Sequence, residues 1–205
     1  MLIRIHPDNP DDRNIQRVVD CLQDGGIVVY PTDTVYGIGC DITNRAAVEK
    51  ILRFKDINTK KTNLSFICYD LSQISDYVKP IDNSIFKLMK RNLPGPFTFI
   101  LEANNNVPKL FKNNKRTVGI RIPDNRIICK IVEALGNPVL LTSVKCDEDD
   151  EDEYITDPEL IEERRSYIAD IVIDGGIGGY MGSTVVDCTS GEPEILRQGK
   201  GELIE

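Results

Sequence analysis

Short apolar runs alternate with amphipathic stretches along most of the chain. Apolar residues from Ile15 to Leu22 recur at helical spacing, and Gly25-Gly26 then predicts the end of that helix. The run IVVY at 27–30 is rich in β-branched residues and predicts a buried strand. Asn44 is a suitable N-cap for a further helix that extends to about Lys55.

The rest of the chain continues this alternation. Further strands are predicted at 64–68, 97–101, 117–122, 139–142, 170–174 and 183–188. Helices are predicted at 82–92, 125–135 and 157–165, and Thr156 with Glu159 is expected to form a capping box at the last of these. Helices between short apolar strands indicate an α/β fold, in which helices flank a twisted, mixed sheet. With no repeat or linker visible, residues 1–205 are predicted to form a single domain.

Composition narrows the class of protein. The chain of 205 residues is 40% hydrophobic and 28% charged, as in globular proteins. No apolar run approaches the roughly 18–20 residues that span a bilayer, and the N-terminus lacks the apolar core of a signal peptide. A soluble cytoplasmic protein without membrane partners is therefore expected. Six cysteines without a CxxC motif, and His6 as the single histidine, argue against a zinc site, a disulfide framework or a histidine-based triad.

The net charge of -8 is concentrated in one segment. Residues 147–153 read DEDDEDE, and without these seven acids the remaining charges nearly balance. The densest basic stretch, KNNKR at 112–116, is modest, which argues against a strong electrostatic footprint for nucleic acid.

Polar side chains cluster near strand ends. They are Thr32, Thr34, Tyr36, Arg121, Thr142, Ser143, Ser183, Thr184 and Arg197. Ligands bind in the crevice at the strand ends of α/β sheets, and hydroxyls with arginines suit a small anionic ligand. Taken singly, each of these residues is better explained as an ordinary strand or turn residue. The usual phosphate-binding motifs are absent, and GGIGG at 175–179 is interpreted as a flexible connection.

Five motifs occur in a recognisable order. They are GGIVVYPTDTVYGIGCD at 25–41, LPGPFTFIL at 93–101, VGIRIP at 118–123, STVVD at 183–187 and ILRQG at 195–199. Together they resemble the YrdC/YciO-type threonylcarbamoyl-adenylate synthase family over nearly the whole chain. The resemblance implies a YrdC/RibB-like α/β domain with a large concave surface and an affinity for double-stranded RNA.

The resemblance also implies a nucleotidyltransferase reaction. ATP, supplied as its Mg²⁺ complex, L-threonine and bicarbonate would give threonylcarbamoyl-AMP and pyrophosphate, and the product would serve tRNA modification. By motif, Thr32, Thr34 and Tyr36 would shape the threonine pocket. Lys55 and Arg121 would be catalytic, with Arg121 meeting a carboxylate or carbamate. The nucleotide would be bound by Lys55, Ser143, Lys145, Ser183 and Arg197, and no protein-held metal is expected.

Two motifs of the synthases are incomplete here. Their Lys-x-Arg reads Lys55-Asp56-Ile57, and their Ser-x-Asn reads Ser143-Val144-Lys145. The YciO-like branch of the family also lacks these motifs, and residues 6–10 and 63–77 resemble that branch. Two classes of protein therefore stay open. One is a synthase of full or reduced activity, and the other is a protein that binds nucleotide or double-stranded RNA without efficient synthesis. Either could be a monomer or a dimer.

Two hypotheses follow from the region that begins at Lys145. In the first, Lys145 partly restores the positive charge that is lost at position 57; the alternative is that it pairs with its acidic neighbours. In the second, the acidic run 147–153 mimics nucleic-acid phosphates or recruits Mg²⁺; the alternative is a solvated loop.

Overall fold

A computed structural model describes residues 1–56, 64–111, 116–144 and 154–204, and contains ten strands and six α-helices in these ranges. The strands are β1 Leu2–Arg4, β2 Val28–Tyr30, β3 Gly37–Gly39, β4 Ser65–Ile67, β5 Phe97–Glu102, β6 Thr117–Arg121, β7 Val139–Ser143, β8 Ile171–Asp174, β9 Thr184–Asp187 and β10 Glu194–Arg197. The helices are α1 Asp12–Gln23, α2 Arg45–Phe54, α3 Leu71–Ser75, α4 Asn83–Asn92, α5 Arg126–Leu135 and α6 Pro158–Arg165. None of these helices is long and apolar enough to cross a membrane.

All ten strands belong to one sheet, in the order β1-β8-β2-β3-β7-β4-β6-β5-β9-β10. Strand β8 is parallel to both β1 and β2, whereas β2 and β3 form an antiparallel pair. The antiparallel pairing of β3 with β7 joins the two halves of the sheet. The expectation of a mixed α/β sheet is therefore confirmed.

Apolar side chains form two clusters on opposite faces of this sheet. Because successive strand residues point to opposite faces, Val172 of β8 joins one cluster while Ile171 and Ile173 join the other. Helices α1 and α5 cover the second cluster, and α2, α4 and α6 contribute to the first. Among the described residues, β5, β6 and β9 have no member in the second cluster, so this face of the sheet stays available for a site.

The predicted elements are largely confirmed, and the cap of α6 is the clearest error. Asn44 caps α2 as expected, because its side chain accepts from the Ala47 amide at 3.1 Å. At α6 the N-cap is Asp157 and not Thr156: the Asp157 carboxylate accepts from the Glu159 amide at 2.9 Å, and Pro158 occupies the first helical turn. A carboxylate one residue later takes the role that the sequence pattern assigned to the threonine.

Three short elements were not predicted: β3, β10 and α3. Strand β3 has the sequence Gly-Ile-Gly, which shows no alternation because two of its three positions lack a side chain. Every residue of β10 is exposed, so no apolar side of that strand marks it in the sequence. These strands form because their backbone groups pair with neighbours, which is a tertiary effect that local pattern does not reveal.

Candidate functional site

A cavity of about 360 Å³ lies beside the second apolar cluster, on the part of that sheet face where β5, β6 and β9 contribute no member to the cluster. The described residues that line it are Val35, Ser65, Thr98, Ile100, Arg121, Leu141, Thr142, Ser143, Gly182, Ser183, Val185, Leu196 and Arg197. Four residues predicted for the site are therefore brought together: Arg121, Ser143, Ser183 and Arg197. They come from three strands and one strand-flanking loop, which places the cavity where hydroxyls and guanidinium groups converge.

Arg121, at the end of β6, is the buried cation of this cavity. It is 2% exposed, and its Nη2 donates to the Asp33 carboxylate, to Thr34 Oγ1 at 2.7 Å and to Thr32 Oγ1 at 3.4 Å. We call these four residues, Thr32, Asp33, Thr34 and Arg121, the Arg121 cluster. Its hydroxyls and carboxylate hold the guanidinium in one orientation at the cavity wall, so the cation is positioned before any ligand arrives.

Two buried polar atoms of the cluster have no hydrogen-bond partner among the described residues. They are Arg121 Nε and Asp33 Oδ2. A buried donor or acceptor without a partner is costly, about 1–3 kcal/mol or more for a charged group. Arg121 lines the cavity and Asp33 does not, so it is the Nε of Arg121 that suits a site which a polar ligand or ordered water completes.

The two threonines of the cluster also maintain the loop between β2 and β3. Thr32 Oγ1 donates to the Val35 carbonyl at 2.7 Å and accepts from the Thr34 amide at 3.1 Å. Both side chains are buried, and neither belongs to the described lining of the cavity. Their contact with the site therefore runs through Arg121, which makes them positioning residues in this structure, and a direct contact with substrate stays a prediction.

Tyr36 is placed differently from the expectation that it presents a polar group to a ligand. Its side chain is fully buried, and its hydroxyl donates to the Gly176 carbonyl at 2.7 Å and accepts from the Gly175 amide at 3.2 Å. Burial raises the pKa of Tyr36 to about 12. Because the hydroxyl already has two backbone partners, its role in substrate binding stays a prediction.

The glycine-rich segment 175–179 packs against this tyrosine. A Cβ on Gly178 would lie 2.6 Å from Tyr36 Cδ2, and the Gly178 amide donates to the Thr156 carbonyl at 2.8 Å. A Cβ on Gly179 would overlap the carbonyl of Thr34. The segment is therefore more than the flexible connection that we expected: its glycines allow it to approach the loop that carries the Arg121 cluster.

On the opposite wall, Ser183 and Arg197 lie side by side. Ser183 Oγ is 2.8 Å from Thr98 Oγ1, and the Arg197 guanidinium donates to the Ser183 carbonyl at 2.9 Å. Ser183 is buried and Arg197 is exposed. The hydroxyls of Thr98 and Ser183 and the guanidinium of Arg197 give this wall donors for an anionic group. The charged Arg197 lies on the solvent side.

Sequence reasoning missed Thr98 and Ser65 as lining residues. The signal for Thr98 is its alternation with Phe97 and Phe99, since both phenylalanines join the first apolar cluster and Thr98 must face the other way. Ser65 lies opposite Gly119 in the register of β4 and β6. Ser65 faces the cavity beside a residue without a side chain, a pairing that only the register reveals.

The lysines that were assigned to phosphate are not in the described lining. Lys55 follows α2 directly, and its Nζ lies 5.7 Å from the centre of the Phe54 ring. Ile57 and Lys145 lie outside the described residues, as do the acidic run 147–153 and four residues of the basic stretch, 112–115. The hypotheses on these positions stay predictions.

Metal-ligand and thiol chemistry find little support in the described ranges. They contain no group of three or more His, Cys, Asp or Glu residues that could hold a metal ion. The five described cysteines are free, and burial raises the pKa of Cys40 to about 12 and that of Cys129 to about 11. Thiols of such high pKa are largely protonated near pH 7 and are poor nucleophiles.

The fold and cavity define an α/β protein with a polar site on one sheet face, and comparison with known proteins identifies its family. The sequence model Sua5_yciO_yrdC, described as "Telomere recombination", matches residues 20–199. The chain therefore belongs to the Sua5/YciO/YrdC family, which confirms the resemblance that the five motifs indicated.

Individual relatives match over most of the chain. The uncharacterized protein YciO of Escherichia coli (strain K12) is 40% identical over 200 residues, which cover 97% of this chain and 95% of that protein. The crystal structure of E. coli YciO superposes with a TM-score of 0.91 at 38% identity, over 98% of this chain and 97% of the other.

Similarity to synthases is lower but equally extensive. The threonylcarbamoyl-AMP synthase of Vibrio vulnificus (strain YJ016) is 29% identical over 189 residues, covering 91% of this chain and 98% of that protein. The structure of P. abyssi Sua5 complexed with L-threonine has a TM-score of 0.87 at 27% identity, over 97% of this chain and 57% of that one. The chain thus corresponds to a little more than half of the Sua5 chain.

Proposed function

We propose that this protein is a threonylcarbamoyl-AMP synthase-like enzyme. It would bind ATP as the Mg²⁺ complex, together with L-threonine and bicarbonate, and release threonylcarbamoyl-AMP and pyrophosphate, as a step toward tRNA modification. The observation that carries this proposal is the buried guanidinium of Arg121, which is held at the wall of a cavity lined by hydroxyls. A fixed cation in a partly enclosed site is suited to a carboxylate or to a carbamate that develops during the reaction.

Roles for the other residues follow from their positions. Ser143, Ser183 and Arg197 line the same cavity and would bind the nucleotide, whereas Thr32 and Thr34 hold Arg121 in place. Lys55 remains assigned to phosphate through its motif, and Lys145, which replaces the asparagine of the synthases, through the hypothesis that it restores positive charge. Since the reaction joins a small amino acid to a highly charged nucleotide, positioning and charge neutralisation would supply most of the rate enhancement.

Relatives support this proposal in part. Synthases at 29% identity favour the reaction, whereas the relatives near 40% identity are uncharacterized. The ion pair of Arg121 with Asp33 favours a second candidate, a nucleotide-binding protein that synthesises the adenylate inefficiently. A carboxylate that already neutralises the cation would have to be displaced or shared before Arg121 can fully stabilise a ligand anion.

A direct assay distinguishes the two candidates. The protein is incubated with MgATP, L-threonine and bicarbonate, and pyrophosphate and the adenylate are measured, the latter by mass. We expect threonine-dependent product, and a loss of about 100–1000-fold in rate for Arg121→Gln, because one donor to developing charge is removed. Arg91→Gln, an exposed arginine on α4, is the matched control and should retain the rate.

Pyrophosphate at background level would contradict the synthase proposal. If the same protein bound nucleotide equally well with and without threonine, the second candidate would be favoured. Circular dichroism of both variants ensures that a lost rate does not reflect unfolding.

A further inference from the structure

The backbone beyond β10 lies along β9 beside the cavity. The Lys200 amide donates to the Gly182 carbonyl at 2.9 Å, and the Gly199 amide donates to Thr184 Oγ1 at 3.0 Å. Thr184 Oγ1 in turn donates to the Gly201 carbonyl at 2.6 Å. We call residues 197–201 the C-terminal strap. These bonds fix its backbone next to Ser183 of the cavity wall, and its first residue, Arg197, lines the cavity.

Glycines on both sides of Lys200 allow this close approach. A Cβ on Gly199 would overlap the Gly182 carbonyl, and a Cβ on Gly201 would lie 2.5 Å from the Phe97 ring. A side chain at either position would therefore push the strap away from β9. Lys200 is the residue between them, and its side chain crosses from the strap toward the Arg121 cluster.

Lys200 connects the strap to the Arg121 cluster at the edge of the cavity, and neither Lys200 nor Asp33 belongs to the described lining. Its Nζ donates to the main-chain carbonyl of Asp33 at 2.6 Å, across 167 positions of sequence, and its side chain is exposed. Among the described residues, no carboxylate lies within ion-pair distance of this ammonium group. The Lys200 ammonium group thus lies beside the Arg121–Asp33 pair, and its partner is the neutral main-chain oxygen of Asp33.

We propose that Lys200 binds the anionic phosphate group of the ligand, by exchanging the Asp33 carbonyl for a phosphate oxygen. A charge-assisted bond to an anion is stronger than a bond to a neutral carbonyl, and the flexible lysine side chain can follow the ligand. The neighbouring Arg121 is less available for this role because the Asp33 carboxylate already pairs with it. This inference rests on the proposed function, since it takes a phosphate-bearing compound as the ligand.

Inorganic pyrophosphate is the probe, because its binding can be measured without synthesis of the adenylate. Calorimetry on the full chain should show about tenfold weaker pyrophosphate binding for Lys200→Gln, the effect of losing one charge-assisted bond, while Lys200→Arg retains most of the affinity. Lys130→Gln is the matched control: Lys130 also donates to a main-chain carbonyl, that of Pro10 at 2.9 Å, but pairs with Asp12 and lies on α5. It should bind as the unmodified protein does.

A second measurement follows Lys200 in the unmodified protein. Saturating pyrophosphate should slow acetylation of Lys200 by an N-hydroxysuccinimide ester several-fold, as measured by peptide mass spectrometry, without slowing that of Lys130. Unchanged affinity in Lys200→Gln, unchanged acetylation of Lys200, or no pyrophosphate binding at all would each overturn the inference.

These outcomes are separate from the fate of the proposed function. If the protein synthesises the adenylate but binds pyrophosphate equally well without Lys200, the inference is wrong and the synthase proposal is supported. Pyrophosphate binding that depends on Lys200, without any synthesis of adenylate, would contradict the synthase proposal and support the inference.

Discussion

The Arg121 cluster and the C-terminal strap bring cations to the same site in opposite ways. Arg121 is 2% exposed, and three side-chain oxygen partners hold it. Arg197 and Lys200 of the strap are exposed, and each donates to one main-chain carbonyl, that of Ser183 and that of Asp33. Arg121 is therefore a fixed charge, whereas Arg197 and Lys200 are charges that can move.

This difference separates two tasks that an anion site must perform. A buried, oriented cation needs little reorganisation when charge develops beside it, which favours stabilisation of a transition state. Exposed cations contribute little to folding stability and can change partner at small cost, which favours capture of a mobile anion. If this contrast is correct, substitutions at the cluster will alter folding, and those at the strap will alter binding alone.

The largest expected effect is that of Arg121→Met on folding. This change leaves the buried Asp33 carboxylate without its cation, and breaking a buried ion pair in this way costs about 3–5 kcal/mol. Urea denaturation should show a loss of this size in the free energy of unfolding. Arg91→Met on the exposed side of α4 should stay within about 0.5 kcal/mol of the unmodified protein.

The double variant Arg121→Met with Asp33→Asn sharpens the same result. Removing both charges avoids the uncompensated carboxylate, so the double variant should be more stable than the sum of the two single losses predicts. Strict additivity would show that the pair is not coupled, and the contrast between fixed and mobile cations would lose its basis.

Much of the fold was accessible from the sequence because its core strands are apolar and its helices amphipathic. The run at 27–30 and the cap at Asn44 are examples in which local pattern and structure agree. Strands β3 and β10 escaped prediction because the first is mostly glycine and the second fully exposed. Strand β3 pairs with β2 and with the distant β7, and β10 pairs with β9, and these backbone pairings leave no pattern in the residues of β3 and β10 themselves.

The site was predictable in its residues more than in its arrangement. Arg121, Ser143, Ser183 and Arg197, which were named from motifs, line one cavity, and their roles stay predictions. The motifs did not reveal that Thr32 and Thr34 accept hydrogen bonds from Arg121, or that Tyr36 bonds the backbone of residues 175–176, because hydrogen-bond partners depend on the packing of distant segments. Lys200 belongs to none of the quoted motifs, and only the crossing of the strap brings it to Asp33.

Tyr36→Phe tests whether this hydroxyl supports the fold or the substrate. Loss of a buried hydroxyl that bonds two backbone groups should lower the free energy of unfolding by about 1 kcal/mol. The KM for threonine should change little. A raised KM with unchanged stability would instead support the substrate-binding role that the motif implies.

The pH dependence of stability gives Tyr36 a second signature. Burial raises its pKa from the ordinary 10.0 to about 12, so the folded state holds the phenol proton between these values while the unfolded state releases it. Its contribution to stability is present below pH 10 and is lost as the pH rises toward 12. The free energy of unfolding of the unmodified protein should therefore fall more steeply over this range than that of Tyr36→Phe.

The smallest expected effect on folding is that of Arg197→Gln. The side chain is exposed and, among the described residues, donates to the Ser183 carbonyl alone, so the free energy of unfolding should change by no more than about 0.5 kcal/mol. Arg53→Gln is the matched control, because Arg53 is also exposed and donates to a main-chain carbonyl, that of Glu49 at 3.3 Å, on α2.

Only pyrophosphate binding should separate these two variants. We expect it to weaken several-fold in Arg197→Gln and to stay unchanged in Arg53→Gln, since only Arg197 lines the cavity. A loss of stability in Arg197→Gln comparable to that of Arg121→Met would mean that the strap is as structural as the buried cluster. The buried Arg121 and the exposed Arg197 would then contribute similarly to folding stability, contrary to what their burial indicates.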